Sequence, residues 1–188
     1  VTRIIAGFAG SLPLLVPGAG TRPTSDRVRE AVFSALESRD AVRGSRVVDL
    51  YAGSGALGLE AASRGAASVT LVERAPAAVR ACRDNVARVL RNAPKNAQPT
   101  ISVASHSVQP FLDSSTAVWD IAFIDPPYEV GGVELSRVLG SLVPRLAPDA
   151  IVVLERASKS PDPVWPDGLS LDRSRKYGDT TLWWASAG

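Results

Sequence analysis

The sequence predicts an α/β fold built on a doubly wound, mostly parallel sheet. Three observations carry this reading. Short apolar strands alternate with helical patterns from residue 46 onward, a glycine turn follows the first of those strands, and an acid closes the second. Strands apolar along their whole length are buried on both faces, which helices on either side of a parallel sheet provide. The 188 residues, 45% hydrophobic and 21% charged, suit one domain of ordinary size with a packed core.

The elements follow in order. Residues 1–23 carry short apolar runs broken by Gly and Pro, which reads as a hairpin or arm rather than a helix. Residues 24–188 then form the main unit. Thr24 or Ser25 can cap a helix in which Val28, Ala31, Val32, Ala35 and Leu36 make one apolar stripe. Residues 46–51 are a buried strand, followed by the glycine turn and a helix over about 57–64. Residues 68–73 are the second strand. Pro76 opens the next helix, where its missing N–H costs nothing. Val79, Cys82, Val86, Val89 and Leu90 share a face there, so Cys82 reads as a small core residue. Residues 100–104, 119–125, 150–155 and 180–185 read as strands, with a helix near 132–143. Trp183 and Trp184 adjoin in the last strand and should point to opposite faces.

Composition narrows the function classes. Lys plus Arg (21) nearly balances Asp plus Glu (19), so there is no polybasic tail and a nucleic-acid surface must be local. One cysteine excludes an internal disulfide or a cysteine zinc site and fits a reducing compartment. No apolar run reaches the ~18–20 residues of a membrane span, and no leader pattern opens the chain. A soluble, cytoplasmic protein with no metal is expected.

Gly53-Ser54-Gly55-Ala56-Leu57-Gly58 is a GxGxxG between strand and helix, and Glu73 lies 20 residues beyond Gly53. Glycines permit a tight turn and close backbone approach, while the acid accepts from ribose hydroxyls; the frame suits an adenosyl cofactor. A dinucleotide would place a pyrophosphate at the helix start, where a carboxylate repels it. S-adenosylmethionine brings an ammonium and a sulfonium instead. Asp49, four residues before Gly53, therefore favours S-adenosylmethionine; tying down the turn by hydrogen bonds is its plainer role and suits either cofactor.

Asp125-Pro126-Pro127-Tyr128 ends a later strand, and in a doubly wound sheet it should lie beside the glycine turn. Two prolines stiffen the chain and leave carbonyls free. The Asp125 carboxylate and Pro126 carbonyl can take both N–H bonds of an exocyclic base amine. That orients its delocalised lone pair, and Tyr128 can stack on the base for ~1–3 kcal/mol.

Asp49-Leu-Tyr-Ala-Gly-Ser-Gly, Glu73 and Asp125-Pro-Pro-Tyr resemble the class I S-adenosylmethionine-dependent amino-methyltransferases. With Arg22-Pro-Thr-Ser-Asp-Arg-Val-Arg-Glu ahead of them and Tyr177-Gly-Asp-Thr near the end, the chain is similar to the RsmD family of 16S rRNA (guanine-N2)-methyltransferases. The resemblance implies a Rossmann-like, seven-stranded sheet with an N-terminal appendage, and S-adenosylmethionine as donor with S-adenosylhomocysteine as product. It implies methylation of guanine N2 in 16S rRNA of an assembled or partly assembled 30S subunit. A monomer is expected, since nothing in the sequence demands a dimer. By position, Asp49, Gly53, Ser54, Gly55, Gly58 and Glu73 would bind cofactor, and Asp125, Pro126 and Tyr128 would hold the base. Two departures stand out. Gly10-Ser-Leu-Pro replaces a basic run common in the family, and Ser105-His106-Ser107 replaces an Asp that accepts from adenine; His106 reads as an exposed loop residue.

Charge is uneven. Six basic residues lie between Arg74 and Lys95, which reads as a solvated outer helix face, and none lies between Asn96 and Ser136. Arg3, Arg22, Arg27 and Arg29, with Arg175 and Lys176, are the candidates for RNA phosphate. Three rivals remain at this stage: an adenine-N6 nucleic-acid methyltransferase using the same tetrapeptide, a nicotinamide oxidoreductase, and a non-catalytic RNA-binding assembly factor.

Overall fold

A computed structural model describes residues 1–18 and 24–188. The elements are α1 (Asp26–Glu37), β1 (Arg46–Leu50), α2 (Ala56–Ser63), β2 (Ser68–Glu73), α3 (Pro76–Arg91), β3 (Thr100–Ser105), α4 (Val108–Ser114), β4 (Trp119–Ile124), α5 (Gly132–Leu142), β5 (Leu146–Ala157), β6 (Leu169–Tyr177) and β7 (Thr180–Ala187). They build one seven-stranded sheet in the order β3-β2-β1-β4-β5-β7-β6. The first five are parallel neighbours, while β7 runs antiparallel to both β5 and β6. The order reverses between β1 and β4, which opens a crevice at their carboxyl ends.

Strand alternation feeds two cores. Val47, Val69, Leu71, Ile121, Phe123, Ile151 and Val153 pack on one face against α1, α2 and α3. Their neighbours Val48, Leu50, Val72, Ala122, Ile124, Val152 and Leu154 pack on the other against α4 and α5. Both faces of every central strand are thus buried, as the apolar runs predict. Trp184 joins the first core and Trp183 packs against the second, on opposite faces. Cys82 is fully buried.

Ser25 caps α1, its hydroxyl accepting from Val28 N at 3.3 Å. Pro76 takes the first turn of α3. Three elements differ from expectation. β5 is longer than residues 150–155, running from Leu146 to Ala157. Helix α4 and strand β6 are absent from the sequence reading. β6 is an edge strand on which only Leu169 is buried, so it lacks the apolar signal of a central strand.

The first 18 residues form a short hairpin, with Ile4 N donating to Leu12 O at 2.9 Å and Leu14 N to Thr2 O at 2.9 Å. Buried polar groups of α2 fasten it. Glu60 accepts from Ile5 N (2.7 Å) and Ala6 N (3.0 Å), and Ser63 Oγ accepts from Ala9 N (2.9 Å). Arg29, fully buried, completes the latch against Glu60 at 3.5 Å, Asp26 at 2.6 Å and the Arg3 carbonyl at 2.7 Å. Arg29 therefore does not belong with the phosphate-binding candidates. Its guanidinium is sealed between the arm and two helices and has no path to a polyanion.

Candidate functional site

The glycine turn is built from the strand upward. Tyr51 leaves β1 with a left-handed backbone (φ 65°), a conformation costly for a non-glycine residue and concentrated at functional sites. Gly53 (φ 60°) and Gly55 (φ 81°) continue the turn. Gly55 and Gly58 lie beneath it, where an added Cβ would run into Leu71. Their role here is close packing of α2 on β2; Gly53, Ser54, Ala56 and Leu57 are the members of the motif that line the cleft.

Glu73 organises the same turn. Its Oε2 accepts from Gly53 N at 2.9 Å, and its Oε1 accepts from Arg74 N and Ala75 N at 2.8 and 2.9 Å. Three of its roughly four acceptor positions are thus in use. Asp49 Oδ2 accepts from Gly58 N at 2.9 Å, so the plainer role holds: this carboxylate caps the start of α2. Burial pushes the Asp49 carboxyl up to about 7, and the Glu73 charge adds to that.

These groups face a cleft of about 800 Å³ over the carboxyl ends of the central strands. Gly53, Ser54, Asp49 and Glu73 line one part; Asp125, Pro127 and Tyr128 line another. Pro126 is half-buried outside the cleft wall, with Pro127 in the lining position. Tyr128 is 77% exposed and lines the cleft. Asp125 receives 3.2 Å contact from the Thr24 hydroxyl, which also lies 2.9 Å from Glu155 Oε2. Burial and the Glu155 charge hold the Asp125 carboxyl well above the usual carboxylate range.

Sequence reasoning missed several members of this site. Thr24 read as a helix cap, and Glu155 as the end of a strand, although an acid at a strand's carboxyl end is the signal that found Glu73 and Asp125. Asn85, fully buried on α3, ties arm to turn: it accepts from Leu15 N at 2.8 Å and donates to Leu15 O (2.8 Å) and Ser54 O (2.9 Å). Val16 and Pro17 of the arm line the cleft in consequence, as does the hairpin of Tyr177, Gly178, Asp179 and Thr180. His106 is exposed and also lines the cleft.

Of the phosphate candidates, Arg27, Arg175 and Lys176 are exposed, with the Arg175 guanidinium 5.2 Å from the Tyr177 ring centre. The Arg3 side chain is 59% exposed and lies 3.8 Å from Asp26. Arg22 lies outside the described residues.

The donor set fits S-adenosylmethionine. Among the described residues, Asp49, Glu73, Asp125, Glu134 and Glu155 outnumber Arg74 and Arg156 around the cleft, an environment that attracts a sulfonium and an ammonium and repels a pyrophosphate. Asp49 and Glu73 are the residues that would hold the cofactor's polar groups. Among the described residues no cluster of His, Cys, Asp and Glu is arranged to hold a metal ion, and no helix is long and apolar enough to cross a membrane.

Comparison with known proteins agrees with this geometry. The family described as conserved hypothetical protein 95 matches residues 2–186. Ribosomal RNA small subunit methyltransferase D of Escherichia coli is 35% identical over 177 residues, covering 94% of this chain and 85% of that one. The solved yhhF protein of Escherichia coli superposes with a TM-score of 0.83 at 31% identity, over 98% of this chain and 97% of that one. A magnesium protoporphyrin IX methyltransferase of Synechocystis, solved with bound SAM, shares the fold alone. Its TM-score is 0.65 at 16% identity, over 90% and 87% of the two chains. The chain belongs to the RsmD family, and its sheet is that of the class I methyltransferases.

Proposed function

We propose that the protein transfers a methyl group from S-adenosylmethionine to the exocyclic N2 amine of a guanine in 16S rRNA. The observation that carries this reading is the placement of Asp125 and Tyr128 on the same cleft as Gly53, Asp49 and Glu73. The rRNA part draws on the Escherichia coli relative named for small-subunit rRNA methylation. The substrate in this reading is the assembled or partly assembled 30S subunit, and the protein works as a cytoplasmic monomer.

When bound, S-adenosylmethionine supplies a methyl group made electrophilic by its sulfonium. The chain's own residues orient and shield. The Gly53 turn and Glu73 hold the nucleoside end, and Asp49 faces the positive end. Asp125 accepts from the target amine, and Tyr128 stacks on the base. Val72 and Val130 in the cleft wall help to keep water out. The base must be unpaired or flipped to enter.

The test is transfer of labelled methyl from S-adenosylmethionine to purified small subunits, with the modified nucleoside identified by mass. N2-methylguanine is expected, and its loss in Asp125→Ala with cofactor binding intact. N6-methyladenine, or near-normal turnover in Asp125→Ala, overturns the assignment.

A further inference from the structure

Asp125 grips an amine, and an amine alone does not identify a base. Guanine carries its amine at C2 and adenine at C6, so either suits an acceptor with an aromatic ring beside it. The difference lies across the ring. With the amine held, the carbon on the far side of N1 bears the O6 acceptor in guanine and only hydrogen in adenine. A donor aimed at that position is satisfied by the first base and left unpaired by the second.

A strong donor stands beside the loop that carries Tyr128. Arg156, half-buried near the end of β5, lines the cleft. The β4–β5 ladder closes with Ile124 opposite Leu154, so Asp125 and Arg156 lie one and two residues beyond it on neighbouring strands. Leu154 faces the core under α5; strand alternation sends Arg156 to that side, while Glu155 turns towards Thr24. Arg156 Nη1 donates to the Val130 carbonyl at 2.8 Å, which sets the guanidinium against the loop after Asp125. A guanidinium has five N–H donors. Among the described residues that is its one hydrogen bond, its Nε is buried without a partner, and no ion pair involves it. Bracing a carbonyl uses one donor and needs no charge, and a cation in the cleft works against a sulfonium. The donors left over match an acceptor on the substrate. Arg74, the other cation lining the cleft among the described residues, is exposed at the Glu73 end.

We propose that Arg156 donates to the O6 carbonyl of the target base and so sets the choice of guanine over adenine. This rests on the methyl-transfer reading above and supplies its base specificity. Asp125 takes the N2 amine, Tyr128 covers the ring, and Arg156 meets O6 from the far side of N1. Adenine in the same pose leaves the guanidinium facing C2–H, desolvated and unpaired.

The test compares small subunits reconstituted with guanine or with 2-aminopurine at the nucleotide the protein methylates. 2-Aminopurine keeps the amine at C2 and has hydrogen in place of O6. Losing a hydrogen bond to a charged group lowers kcat/KM about tenfold to a hundredfold, so the wild-type protein should prefer guanine by about tenfold or more. Arg156→Met should bring that preference to within about threefold. 2-Aminopurine also lacks the N1 proton, so the part of the preference that disappears with Arg156 is the deciding quantity. A residue that only braces the loop through Val130 slows both substrates alike and leaves their ratio unchanged; that result overturns the proposal. Calorimetry with S-adenosylhomocysteine checks that the variant keeps its fold. Arg156→Lys, which keeps the charge but loses the planar fork, is the second variant and should cut the preference by about threefold or more. Equal N2 methylation of both bases by the wild-type protein leaves the proposed function standing and removes the role of Arg156. Absence of N2-methylguanine from the guanine subunits removes both.

Discussion

Glu60 is the residue whose loss should cost the fold most. It is fully buried on α2 and accepts from Ile5 N, Ala6 N and Arg64 Nε at 2.7, 3.0 and 2.7 Å, with Arg29 Nη1 at 3.5 Å. Glu60→Ala leaves the buried Arg29 guanidinium with Asp26 as its remaining carboxylate and strands two backbone N–H groups of the arm. Breaking one side of a buried ion pair costs ~3–5 kcal/mol, a large share of the ~5–15 kcal/mol that holds a typical domain together. At ~2–4 °C per kcal/mol for a chain of this size, the melting temperature should fall by about 6–20 °C. Arg29→Met is the contrasting variant. It removes the buried charge but leaves Glu60 its two amides and Arg64, so its loss should be about half or less. Urea denaturation gives the energies, and amide exchange at Ile5 and Ala6 reports whether the arm has come loose. A loss under about 1 kcal/mol in Glu60→Ala, or an arm as protected as before, would show that the latch does not hold the hairpin.

Asp49 has a carboxyl raised to about 7 in the folded state, above its ordinary value, so the fold loses stability as pH rises from about 4 to about 7. Asp49→Asn should flatten that slope in denaturation curves taken across the range. Binding a cation beside Asp49 favours its ionised form, so affinity for S-adenosylmethionine should climb through the same interval; calorimetry in two buffers would detect the released proton. Asn85→Leu removes three hydrogen bonds to Leu15 and Ser54 and should weaken cofactor binding about tenfold, with faster amide exchange at Leu15. A binding constant unchanged in that variant would separate the arm from the turn. Neutralising Arg27 with Lys176 should weaken RNA binding most at low salt and flatten the plot of log affinity against log salt, by ~0.7–0.9 per lost phosphate contact. A parallel shift at all salts would deny those residues a phosphate role.

Most of the fold is legible in the chain because burial leaves a period in it. The strand at residues 46–51 is apolar on both faces, and its successors repeat the pattern, so the parallel centre and its helices follow directly. β6 escapes the same reading because an edge strand needs no second buried face, and Arg173, Arg175 and Lys176 look like loop. Helix α4 is seven residues long and contains Pro110, too short to show a stripe. In the site, Glu73 and Asp125 stand out because each closes an apolar strand. The Thr24–Glu155 contact joins residues 131 apart, and nothing local announces it. Arg29 misleads and Asn85 goes unread for one reason: α1 and α3 bury a second, polar-lined side under the arm, whereas a single-stripe reading assigns every polar residue to solvent.

On the methyl-transfer reading, the charge distribution also favours a base presented alone. Four acids converge on the cleft from four strands, Asp49 from β1, Glu73 from β2, Asp125 at the end of β4 and Glu155 from β5. The fold answers them with donors: three backbone amides for Glu73, the Gly58 amide for Asp49, and one Thr24 hydroxyl set between the other two. The result is a cup that attracts a cation and repels phosphate. On the proposed reading a polyanionic backbone is held off outside the cup, while an uncharged base pays no such penalty on entry. Tyr128, 77% exposed beside Asp125, stands at the boundary between the two regimes. A duplex cannot satisfy both at once, because a stacked base cannot reach the cup without its phosphates; a flipped or looped-out nucleotide can.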